Sequence, residues 1–162
     1  MTMHDEQIRT GKLCPYCRTE THLVSGDVIY PHRAIDVPRP KFLDKKYYVC
    51  ANNNDHYVGT YRDNVTALGR LADAELRSLK SQRHAVFDPL WKDLKTFKSQ
   101  KDAYHWLSKE MNLPIEFTHF GMFSVAHCIE AVEKCKGLSK QSSEFNHFNN
   151  KYIFQKLIVK IN

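Results

Sequence analysis

Cys14-Pro15-Tyr16-Cys17 sets two thiols at the spacing from which one tight turn can deliver both sulfurs to a single ion. A closed site needs a second pair from a distant segment. Cys50 opens that segment, but residues 52, 53 and 54 are all asparagine, and the next strong donor is His56. Three thiolates and one imidazole suit tetrahedral zinc. With four protein donors no position is left for water, so the expected role is structural. Other readings of the same residues stay open. They are a redox C-x-x-C pair, a site that has lost its metal, and His22 or His32 as the fourth donor.

The elements that must position these residues differ along the chain. Residues 1–12 read as a flexible lead-in. Residues 13–62 have β character. Leu23-Val24 and Val28-Ile29-Tyr30 flank Ser25-Gly26-Asp27, which predicts a hairpin. Pro31 to Lys46, with three prolines, reads as a loop. Lys46 to Val49 forms a strand running into Cys50, and Tyr57 to Tyr61 a short strand after it. A segment of about fifty residues with few large aliphatics buries too little surface to fold alone. A structural zinc contributes about 10 kcal/mol or more to such a module.

Residues 63–137 read as helical. Leu76, Leu79, Arg83, Val86, Phe87 and Leu90 follow a helical stripe from an Asp73 start, with a restart at Asp88-Pro89. Ser99 and Asp102 form a capping-box pattern for a helix to Met111. Ser124 to Lys136 gives another, with Val125, Cys128, Ile129, Val132 and Cys135 inward and Gly137 as terminator. Residues 138–162 read as a polar linker and an apolar C-terminal segment. The fold class expected is α+β: a zinc-ribbon-like β module at 13–62, a part of three or four helices, and a divergent tail.

The chain carries 24 Lys and Arg against 18 Asp and Glu, a net charge of +6. That balance favours phosphate-bearing partners, because each neutralised phosphate releases counterions. Tyrosines 30, 47, 48, 57 and 61 interleave with the cations, a pattern that can stack bases while holding phosphates, or simply a solvated β core. The nucleic-acid candidates are Lys41, Lys45, Lys46, Arg62, Arg70 and Arg77. The five cysteines are odd in number and unevenly spread, which argues against a disulfide framework. No segment has the length of a membrane span, and the polar N-terminus lacks the apolar core of a secretory signal, so a cytoplasmic location is expected. No nucleophile elbow, glycine-rich phosphate loop or H-E-x-x-H pattern occurs, and His84 with Asp88 reads as a packing pair rather than a catalytic one.

Taken in order, Cys14-Pro-Tyr-Cys17, Val28-Ile29-Tyr30, Tyr48-Val49-Cys50, Tyr57-Val58-Gly59, the run from Leu68 to Arg77, His84-Ala85-Val86-Phe87-Asp88-Pro89-Leu90-Trp91 and Asp102 to Leu107 resemble a family of small bacterial and phage proteins known as the zinc-finger-containing domain, a domain of unknown function. The resemblance covers about residues 13–136. It implies a zinc-ribbon-like head joined to a helical part, and no particular reaction. The family pattern has a fourth cysteine shortly before Tyr-Val-Gly. Its place falls at Asn53 or Asn54 here, and His56 is expected to stand in. Two roles are expected. One is a nucleic-acid-binding accessory factor acting on DNA or RNA. The other is an adaptor, a phage or mobile-element factor engaging a host or phage protein through the tail or the Phe117 to Phe123 loop.

Overall fold

The computed structural model describes residues 3–92 and 96–138, the side chain of His84 excepted. It is an α+β structure in two compact units. One comprises residues up to 81 together with 119–125. The other comprises the described residues of 82–118 and 126–138.

In the first unit, a three-stranded antiparallel sheet has the order β1-β2-β3, with β1 at Thr21–Ser25, β2 at Lys46–Cys50 and β3 at Asn53–Gly59. Thr21 pairs with Cys50 and Ser25 with Lys46 on one side, while Tyr47 pairs with Gly59 and Val49 with Tyr57 on the other. A bulge between Val49 and Cys50 shifts the register so that Cys50 faces Asn53 across a tight turn. Side chains alternate along β2. Tyr48 packs with Val58 against Cys14, Cys50 and Leu71, a small buried cluster on one face. Tyr47 and Tyr57 turn to the other face, their rings 6.0 Å apart edge to face.

Three expectations change here. Residues 3–12 are not a loose lead-in: α1 spans Met3–Arg9, fixed to the next segment by Lys12 N–H and Leu13 N–H donating to the Gln7 carbonyl. The Ser25-Gly26-Asp27 hairpin does not form. Gly26–Ile29 is a single helical turn, α2, and β1 pairs with β2 instead. Gly26 lies so close to the 41–43 turn that a Cβ there would sit 2.4 Å from the Phe42 carbonyl oxygen. The Pro31–Lys46 segment is largely non-strand, as expected, and carries two 3-10 turns, Pro31–Arg33 and Lys41–Leu43.

α3 spans Ala74–Ser81, begun by Asp73, whose carboxylate accepts from Leu76 N–H at 2.8 Å. The long stripe expected from Asp73 to Leu90 is interrupted. In the second unit, Arg83–Val86 (α4) and Asp88–Lys92 (α5) are separate short helices. α6 spans Gln100–Glu110, capped as the sequence predicts: Ser99 Oγ accepts from Asp102 N–H at 3.1 Å and donates to its carboxylate at 2.8 Å. Residues 125–138 are helical (α7), so Gly137 does not end the helix, and Ile129 faces outward while Cys128, Ala131 and Cys135 are buried. Asp88 engages Lys92 at 3.0 Å. Phe120 and Phe123 are buried in the first unit, so the 117–123 loop presents neither as an anchor. The tail from 139 lies outside the described residues. Among the described residues no helix is long and apolar enough to cross a membrane.

One backbone contact is unforgiving. Gly69 has φ +150°, and a Cβ there would stand 2.2 Å from the Gly121 carbonyl oxygen. Gly69→Ala is therefore expected to destabilise the first unit by about 2–4 kcal/mol, combining an incompatible φ with backbone overlap. Thermal unfolding followed by circular dichroism checks it; an unchanged midpoint would contradict the close approach.

Candidate metal centre

Each of the four donors reaches the site from a local structure that its neighbours explain. Cys14 and Cys17 sit in a loop closed at its base by Cys14 N–H donating to the Thr19 carbonyl and by a Leu13–Glu20 bridge. Arg18 N–H returns to the Cys14 carbonyl at 3.0 Å, and Arg18 adopts φ +57° to let the chain double back. Cys17 N–H points at Cys14 Sγ, 3.5 Å away. Cys50 sits at the β2–β3 turn beside the bulge, where Asn52 N–H points at its sulfur at 3.4 Å. Both knuckles thus aim backbone N–H groups at sulfur, the kind of hydrogen bond that orients a metal-binding thiolate.

His56 comes from β3. Its Nδ1 lies 3.6 Å from Cys14 Sγ and 3.4 Å from Cys17 Sγ. All four donor atoms lie within 4.8 Å of one another. A tetrahedral ion with zinc-like bond lengths sets S···N edges of about 3.5 Å and S···S edges of about 3.8 Å. The separations of His56 Nδ1 from Cys14 and Cys17 Sγ already match, and a contraction of about 1 Å brings the widest pair of donors onto one ion. Donor chemistry and spacing therefore fit a four-coordinate metal. The other two histidine candidates for fourth donor lie elsewhere: His22 is exposed on β1, and His32 is exposed in the Pro31–Arg33 turn. Asn53 and Asn54 are exposed at the start of β3.

Four neighbouring residues make contacts that had no signal strong enough to find in the sequence. The Tyr16 ring stacks on His56 at 4.4 Å, and its hydroxyl accepts from Asp73 N–H at 3.3 Å, which links the imidazole to the start of α3. Tyr16 occupies an x position of the C-x-x-C motif, so its place was visible but its partner was not. Asp55, next to His56, accepts from Ala74 N–H and from Arg77. Thr19 Oγ1 lies 3.3 Å from Cys50 Sγ. The Asn53 amide nitrogen lies 3.3 Å from His56 Nε2 and donates to it while Nε2 is unprotonated; once Nδ1 binds a metal Nε2 carries the ring proton, and the amide must turn its oxygen to the ring to keep the contact.

The thiols are not equivalent. Burial opposes ionisation of Cys50, yet the Thr19 hydroxyl, Asn52 N–H and the Cys14 thiol outweigh it and bring the group down to about 6. Burial, followed by the neighbouring Cys50 and Cys14 sulfurs, pushes Cys17 up to about 11. Without an ion, Cys50 is drawn toward the thiolate while Cys17 is held as a thiol. A divalent cation removes that conflict by displacing the remaining protons.

The six nucleic-acid candidates fall into two groups. Lys41, Lys45 and Arg62 are exposed and Lys46 is half-exposed, and among the described residues no ion pair engages them. Lys46 and Arg62 belong to neighbouring segments, joined where Lys46 N–H donates to Asn64 Oδ1. Arg77 is committed internally. It donates to the Asp55 and Ala72 carbonyls and the Asp55 carboxylate, and lies 4.0 Å from the Tyr57 ring centre. Arg70 is half-buried beside Gly121, to whose carbonyl its backbone N–H donates.

Cobalt(II) titration of metal-free protein is expected to saturate at one ion per chain, with the visible spectrum of a tetrahedral site of three sulfurs and one nitrogen. Cys14→Ser should abolish that spectrum. His56→Cys should shift it to the all-sulfur type while keeping one ion, and His56→Ala should weaken binding roughly 10–100-fold. A spectrum unchanged by His56→Ala would remove the imidazole from the site.

No curated protein and no solved structure matches the chain. A family model does: it is described as a zinc-finger-containing domain and spans residues 10–138, both knuckles and His56 included. The chain belongs to the family of the zinc-finger-containing domain.

Proposed function

We propose that this chain is a nucleic-acid-binding accessory protein whose Cys14–Cys17–Cys50–His56 site holds a structural zinc ion. Zinc is the ion best matched to three thiolates and one imidazole, because it imposes no geometric demand of its own and accepts soft sulfur donors. A structural role follows from the closed donor set and from the burial of Cys14 and Cys50, which leave no coordination position facing a substrate.

The observation that carries the nucleic-acid reading is the sorting of the cations. Arg33, Arg39 and Arg77 are taken up by Asp36, Asp27 with Asp44, and Asp55. Lys41, Lys45, Lys46 and Arg62, around the metal-held sheet, are left facing solvent beside a net charge of +6. Such cations gain most from a polyanion, since releasing condensed counterions supplies the free energy. The adaptor reading rests on a different feature, the exposure of Ile35 and Val37 in the insert between β1 and β2, at 85% and 96%. Binding of that kind depends on apolar anchors and varies little with salt.

Elemental analysis of protein purified without added metal is expected to find one zinc per chain. Binding to a single-stranded oligonucleotide should weaken steeply as salt rises. The triple variant Lys41→Glu, Lys46→Glu, Arg62→Glu should lower affinity at least about tenfold and reduce the log–log salt slope by about 2. A gel-shift series at low salt with no binding to any DNA or RNA overturns this reading and leaves the adaptor one.

A further inference from the structure

On the sheet face away from the metal cluster lies a cavity of about 280 Å³ within the first unit. Its walls include Tyr30, Tyr47, Tyr57, Lys45, Arg70 and Lys80, and among the described residues no acidic side chain lines it. We propose that this cavity binds one nucleoside monophosphate unit, its base against the apolar and aromatic wall and its phosphate against the cations. The shared chemistry has two sources, a free mononucleotide or an exposed nucleotide of a single strand. The second source rests on the nucleic-acid reading above; the first does not.

The charge argument comes first. Lys45, Arg70 and Lys80 bring three cations to one small space. Arg77 adds a fourth whose charge Asp55 offsets. Lys80 donates to the Gly121 carbonyl at 2.8 Å and the Tyr47 hydroxyl to the Phe42 carbonyl at 3.2 Å, neutral acceptors that leave the positive charge of the wall in place, so the complementary ligand is an anion rich in acceptor oxygens. Tyr30 and Tyr57 hydroxyls lie 3.2 Å apart. One must donate to the other, and the second proton remains to be given elsewhere. Burial first, then the hydrogen bond with Tyr57, raises the Tyr30 phenol well above the usual tyrosine range, so it stays a protonated donor.

Shape then narrows the class. A bare phosphate would leave the Tyr47 ring, Leu68 and Ala72 uncovered, whereas a flat heterocycle covers them. An aromatic cage for a cationic group is the competing use of three tyrosines. It fails on two counts: the walls are cationic, and the three rings pack edge to face at 5.9–6.0 Å, leaving no space between them for an ammonium group. The volume lies at the lower bound of small-ligand sites, which suits one nucleotide and excludes a duplex.

The test uses the full zinc-loaded chain, calorimetry at low salt, and three probes: AMP, adenosine, and a single-stranded ribo-oligoadenylate. The proposal expects AMP to bind at about 1 mM or tighter and adenosine more weakly. Lys45→Gln should weaken AMP about fivefold or more. Leu68→Trp, which fills the cavity and leaves every charge in place, should abolish it. Zinc content checks that each variant is folded, and Tyr30→Phe replaces Leu68→Trp if that variant loses its metal. AMP binding with no oligoadenylate binding assigns the site to a free nucleotide and overturns only the nucleic-acid reading. Strand binding that is displaced by AMP or weakened by Leu68→Trp assigns it to a strand. Strand binding lost in the Lys41, Lys46, Arg62 triple variant but untouched by Lys45→Gln and Leu68→Trp, with no AMP binding, overturns the cavity proposal alone. No binding of any probe overturns both.

Discussion

Three thiols within a few ångströms of one another cannot all ionise unless a cation sits among them, and the first unit is organised around that constraint. The thiol of Cys50 is drawn down to about 6 and that of Cys17 pushed up to about 11 by the same small space. Bridging them ties together the 14–17 loop, the β2–β3 turn and β3. Beyond the donors Cys14 and Cys50 themselves, the buried cluster where these segments meet adds Leu71, with Tyr48 and Val58 at its margin. An ion worth about 10 kcal/mol exceeds what that cluster supplies by burial, since each fully buried aliphatic adds about 1.5–3 kcal/mol.

The same hairpin that delivers Cys50 and His56 also places the tyrosines. Along β2 and β3, alternate side chains go to opposite faces, so Tyr48 and Val58 meet the metal cluster while Tyr47 and Tyr57 meet the cavity. A one-residue slip would exchange the two sets. The bulge at Val49/Cys50 fixes the register at the turn end of the pairing, and the Ala72–Tyr57 backbone pair holds β3 from its other edge. Metal binding and cavity geometry are thus linked through strand register, with no contact between ion and ligand required.

Much of this was legible in the sequence where the signal is local. The C-x-x-C spacing, the β2 strand into Cys50, and the Ser99–Asp102 cap all involve neighbours a few residues apart. What escaped were choices settled by distant partners. Ser25-Gly26-Asp27 has turn chemistry, but Gly26 serves the close approach of the 41–43 segment rather than a hairpin. Gly137 looks like a helix stop, yet it does not take the positive φ that such a stop uses, and the helix runs on through it to residue 138. Arg77 reads as one more surface cation on a helix, and only the fold reveals Asp55 and Tyr57 beneath it.

The fourth donor illustrates how an irregular motif is accommodated. The tight turn pairs Asn53 with Cys50, so residue 53 sits where a cysteine would complete the two-knuckle pattern. Its amide instead meets the far nitrogen of His56, three residues on. An imidazole reaches farther from the backbone than a thiol, which offsets the extra distance along β3. A longer side chain also has more freedom to lose, and the fold restricts it from three sides: Tyr16 stacked on the ring, Asn53 at its distal edge, and Asp55 fastening the adjacent backbone to the start of α3. Pre-ordering the ring in this way lowers the entropy lost on metal binding. The Asp73–Ala74 helix start thereby becomes part of the metal site without supplying a ligand to it.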